Sequence, residues 1–173
     1  MKMNFTTYDI TRIAVFIAML LMVDMVWLNP FVAVIIYGVV YGMILITAAR
    51  VIGKKGTILI IGIINTIINL AFAQMYGGTL AAFAYLAGAM VLEGMLQLSR
   101  PYCENRNIAV IGTLAYGLVS RSFYVLIIIF VYNLVLPTWL TMGAIASFAV
   151  TFPIGGLLGY KLGKRLKNVS ESM

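Results

Sequence analysis

Histidine is absent from the 173 residues, and cysteine occurs once, at Cys103. The first absence removes the commonest metal ligand and general base; the second forbids an internal disulfide. Charge is scarce as well. Asp, Glu, Lys and Arg make up 10% of the chain, against about 25% in soluble domains. No G-x-x-x-x-G-K-[ST] phosphate loop occurs, and Gly53-Lys54-Lys55-Gly56 has the wrong spacing for one. The GxSxG and HExxH patterns are also missing. Nucleotide hydrolysis and membrane hydrolase chemistry therefore lack the residues they need. The chain is expected to be neither an enzyme nor a holder of a metal or cofactor.

What is present is apolar. Hydrophobic residues form 63% of the chain and the mean hydropathy is +1.05, whereas soluble domains are about 45–50% apolar. Polar groups could not cover such a chain in water, so lipid is its expected solvent. A helix needs roughly 20 mainly apolar residues to cross a bilayer. Six stretches meet or approach that length: 11–28, 31–51, 57–73, 79–98, 107–132 and 138–162. Turn residues separate them at Asn29-Pro30, Gly53 to Gly56, Gly77-Gly78, Ser99-Arg100-Pro101 and Pro137. The expected fold is an all-α integral membrane protein, a single domain of six transmembrane helices. The opening MKMNFTTYDITR is not expected to be a cleaved leader, because the apolar run is longer than a typical leader's and no small-residue cleavage site follows it.

The net charge of +7 would suggest nucleic acid in a soluble protein. Here the basic residues lie between apolar runs, so no nucleic-acid partner is expected. Six spans put both termini on one side, together with Arg12, Arg50, Lys54, Lys55, Arg100, Arg106, Lys161, Lys164, Arg165 and Lys167. The loops around Asn29, Gly77 and Asn133 receive no Lys or Arg. The positive-inside rule then places both termini in the cytoplasm and the chain in the cell membrane. Trp27 and Trp139 fall near the outer interface, where indole rings are favoured.

Small residues recur at i, i+4: Ala14 and Ala18 in the first stretch, Gly38 and Gly42 in the second, and Gly155, Gly159 and Gly163 in the last. Such pairs let a second backbone approach closely in lipid. They serve either packing within the bundle or contact with another subunit. With its size, basic charge, six apolar stretches and the motif Ala14-Val15-Phe16-Ile17-Ala18, the chain resembles the substrate-binding S component of an energy-coupling factor (ECF) transporter. That resemblance implies a subunit that captures a vitamin or related micronutrient at the outer face. It also implies that Ala14 and Ala18 contact a transmembrane coupling protein, which joins the S component to two ABC ATPases. It names no solute.

Ionisable groups within a span are costly, about 2.5–3.5 kcal/mol on insertion scales, and mark functional sites. Asp24 lies about 18 Å along a helix from Arg12, and Arg121 about 22 Å from Arg106. Both are therefore expected in the outer half at similar height. Arg121, Tyr124 and Tyr132 share one helical face, and Asn65 and Asn69 are one turn apart. Gln74, Tyr76, Asn133 and Trp139 belong to the same outer end. These ten residues form the expected substrate-binding set, suited to a small, partly aromatic, polar solute. Asp24 and Arg121 either pair with each other or meet the solute. Glu93 is expected in the inner half, in a structural or coupling role. Two other function classes are a stand-alone proton-coupled secondary transporter, using Asp24 or Glu93, and a non-transporting membrane scaffold. The chain is short for the first and shows no internal repeat; the second leaves the outer polar cluster without a purpose.

Overall fold

A computed structural model describes residues 5–25, 30–72, 79–135 and 137–171. Among these the chain is all-helical: α1 Thr7–Met25, α2 Pro30–Ile52, α3 Thr57–Phe72, α4 Phe83–Gln97, α5 Arg106–Phe130 and α6 Thr138–Glu171. A short 3-10 turn, Thr79–Ala82, leads into α4. Each helix overlies one of the apolar stretches read from the sequence. Three regions are long and apolar enough to cross a membrane: Leu80–Gln97, Arg106–Phe130 and Thr141–Val169. Ile36–Ile52 and Thr57–Ala71 are shorter apolar helices. Helix α6 continues to Glu171, past the expected end at 162.

The helix ends follow from local chemistry. Thr6 and Asp9 exchange side-chain bonds with each other's amides at the start of α1, a capping arrangement that satisfies free N–H groups. Pro30 occupies the first position of α2, where its missing N–H costs nothing. Gly53, at φ 66°, stops α2 in the left-handed conformation that glycine adopts without strain. Asn105 caps α5 through Asn107 N and Ile108 N. Pro153 lies inside α6, removing one hydrogen bond of the ladder.

Helices α2 and α6 approach most closely, and glycine is the reason. A Cβ on Gly42 would sit 2.9 Å from the Phe152 carbonyl oxygen, and one on Gly159 would be 2.9 Å from Met43 Cα. One on Gly155 would run into the Val39 carbonyl. The glycine stripes of these two helices thus face each other; Gly42, Gly155 and Gly159 meet backbone directly, while Gly38 and Gly163 make room for the Thr151 and Arg50 side chains. Their role is packing within the bundle. Ala14 and Ala18 are different: both are exposed on α1. They line an apolar groove of about 580 Å³ with Ile10, Ile17, Ile60 and Ile64, between α1 and α3.

The inward stripes of the helices carry the core and then change character at one end. Ile13, Ile17 and Leu20 are buried at helical spacing on α1, and Asp24 continues the same stripe. On α3 the stripe runs Ile58, Ile61, Asn65, Asn69. On α4 it runs back from Leu96 and Leu92 through Ala89 to Tyr85. These three helices, with Tyr41 of α2, turn their polar ends toward one another.

Candidate functional site

Asp24 is 6% exposed and sits where four helices meet. Tyr41 of α2 donates to its Oδ2 at 2.6 Å, and Asn69 of α3 donates to the same oxygen at 3.4 Å. Tyr85 of α4 donates to Oδ1 at 3.4 Å. Tyr37 donates to the Asp24 backbone carbonyl at 3.1 Å. Asn65 donates to the Tyr41 hydroxyl at 3.4 Å, and Asn69 donates back to Asn65 through Nδ2. The Tyr41 ring lies 6.1 Å from that of Tyr37 and stacks on Tyr85 at 6.0 Å. A carboxylate inside apolar helices requires such donors, because an unsatisfied charge there is far costlier than the bonds that hold it.

Arg121 of α5 lies among a separate pair of aromatic rings. Its guanidinium carbon lies 4.8 Å from the Tyr124 ring centre and 5.3 Å from that of Phe148 on α6. Its Nε is buried without a hydrogen-bond partner. Tyr85, which bonds Asp24, also acts electrostatically on Arg121. Among the described residues no ion pair joins Asp24 to Arg121.

The expected set divides in three. Asp24, Asn65 and Asn69 come together directly, and Arg121 meets the Tyr124 ring. Tyr132, Asn133 and Trp139 lie farther along the chain at the ends of α5 and α6. The Tyr132 hydroxyl accepts from Leu80 N, Asn133 is exposed at φ 51°, and Trp139 is 71% exposed. Gln74 and Tyr76, with Trp27 and Asn29, lie outside the described residues. Tyr37, Tyr41 and Tyr85 were not among the expected residues. Their signal was present in Tyr37 and Tyr41, one turn apart in an otherwise apolar run.

The opposite end of the bundle is tied by charge. Glu93, 3% exposed, accepts from Gly56 N at 2.7 Å and Ile58 N at 3.1 Å, so its carboxylate holds the start of α3. It also accepts from Gln97 and, at 2.7 Å, from Tyr102. Burial, then the Glu93 charge, pushes the Tyr102 phenol up. Arg50 donates to the Cys103 carbonyl at 2.9 Å and to Glu104 at 3.0 Å, and lies over the Tyr160 ring. Tyr160 in turn donates to the Glu104 carbonyl. Burial pushes the Cys103 thiol up to about 12, although the Arg50 charge pulls the other way. The Lys54–Asp9 ion pair joins α1 to the turn between α2 and α3. Every bond of Glu93 named here is to the protein's own framework.

No group of three or more metal-ligating His, Cys, Asp or Glu residues occurs among the described residues. Comparison with protein-family models, curated proteins and solved structures finds no match.

Proposed function

We propose that the chain is a six-span membrane subunit that captures a small micronutrient from outside and passes it to an ATP-driven importer of the ECF type. Both termini are cytoplasmic in this reading. The observation that carries it is the Asp24 node: a carboxylate, two asparagines and three tyrosines gathered from four helices. Intramembrane charge is retained where it has work to do, and hydrogen-bonding groups interleaved with aromatic faces suit a small polar solute. The basic residues support the orientation, since the Asp24 end of the helices lies away from Arg50, Lys54 and the basic end of α6.

The partner rests on a separate face. Ala14 and Ala18 are exposed and line an apolar groove, while the glycine stripes are used up between α2 and α6. Small exposed residues on α1 admit a helix of the coupling protein at short range. Asp24 continues the buried stripe instead, so assembly and capture use different sides of one helix.

Affinity purification from native membranes tests the proposal. The expected result is co-purification of a membrane coupling protein and two ATPases. Ala14→Trp or Ala18→Trp should reduce that assembly while the retained solute stays bound. Uptake that needs a proton gradient and no ATPase would move the assignment to a secondary transporter. Loss of solute with assembly intact would overturn the role given to the two alanines.

A further inference from the structure

We infer that the solute is a carboxylate, and that its acidic group is held by Arg121. This rests on the capture function just proposed and specifies its chemistry. Helix α5 runs from Arg106 to Phe130, and Arg121 lies about 13 Å short of its end. The guanidinium is thus within the apolar length of the helix, where a cation requires compensation. The described residues supply only part of it. Two ring faces, Tyr124 and Phe148, meet the cation. Nε has no acceptor, and no described carboxylate forms an ion pair with the group. Asp24 receives Tyr41, Asn69 and Tyr85 instead.

An arginine has five N–H donors and no acceptor, and a carboxylate matches its fork with two parallel bonds. The charge balance selects among anions. Arg121 carries one positive charge, and the described groups nearest it are uncharged phenols and rings. A single negative charge is neutralised there; a phosphate monoester, near two negative charges at neutral pH, leaves an excess in an apolar setting. The Tyr124 and Phe148 rings, 4.8 and 5.3 Å from the guanidinium carbon, crowd it and favour a flat acid group over a bulky one. A phospholipid phosphate is a diester with one negative charge, so it fails on bulk and not on charge.

The test extracts the small molecules retained by the full-length protein purified from its membranes. Mass spectrometry before and after methyl esterification reads the carboxyl groups. The expected result is a retained compound that forms a methyl ester. Arg121→Gln should retain about tenfold to a hundredfold less of it, and Arg121→Lys, which keeps the charge, should recover part of the loss. Thermal unfolding of each variant separates lost binding from lost fold, and the wild-type extract stands even if a variant fails to fold. A retained compound without a carboxyl group, a phosphate ester or a phospholipid overturns the inference and leaves capture standing. Equal retention by folded wild type and both variants also overturns it. No retained compound at all removes the capture function with it.

Discussion

The shortest bond to the Asp24 carboxylate, Tyr41 at 2.6 Å, makes that hydroxyl the one whose loss is felt most. Tyr41→Phe keeps the ring between Tyr37 and Tyr85 and removes the donor. A cost of about 1–2 kcal/mol is expected, at the upper end for a bond within a membrane bundle because its acceptor is a carboxylate. Tyr85→Phe, which removes a bond of 3.4 Å, should cost less. Denaturant midpoints in detergent rank the two; a larger loss for Tyr85→Phe would contradict the geometry. At the opposite end Asp9, ahead of the apolar run, is held by Lys54, and then by the Thr6 hydroxyl and amide. These bonds lower its pKa from 3.8 to about 2. A carboxylate that is harder to protonate folded than unfolded adds stability above pH 3.8, and that stability fades as pH falls through about 2. The wild-type midpoint should therefore drop below about pH 4 more steeply than that of Asp9→Asn. Parallel curves would show that the ion pair adds nothing.

At the scale of helices, the glycines separate backbone contact from open surface. Gly159→Leu drives a side chain into the Met43 backbone, and about 1–3 kcal/mol or failure to assemble is expected. Gly143, on the same helix, faces open space, so Gly143→Leu should be neutral or slightly stabilising through helix propensity. Unfolding midpoints of the two variants compare them directly; equal losses would mean that α2 and α6 do not meet as described. The six helices were legible because apolar runs and turn residues alternate so plainly. The far end of α6 was not, because Lys161, Lys164, Arg165 and Lys167 are good helix formers whose charge lowers hydropathy. Which stripe meets which was also hidden. Ala14 and Gly155 carry the same spacing, and only tertiary pairing sends one outward and the other inward. Asp24, Asn65 and Asn69 stood out as polar interruptions on inward faces. Tyr41 and Tyr85 did not, because a tyrosine ring counts as apolar until its hydroxyl has a partner.

For the whole molecule, sidedness can be read with introduced thiols, since Cys103 supplies almost no background. It is fully buried and its thiol is pushed up to about 12, which disfavours the reactive thiolate. Cys103 itself, buried beside Arg50, is no probe of sidedness. Val135→Cys, at a position 96% exposed, should react with a membrane-impermeant maleimide on intact cells. Lys55→Cys, exposed in the turn before α3, should react only after the membrane is opened. The reverse pattern would invert the molecule. The glycine contact between α2 and α6 has a mechanical consequence at this scale. Two helices locked backbone to backbone cannot slide past each other to match a thicker or thinner bilayer. In a bilayer, a mismatch in thickness would then be met by the pair together, through a shared tilt or a change in the surrounding lipid.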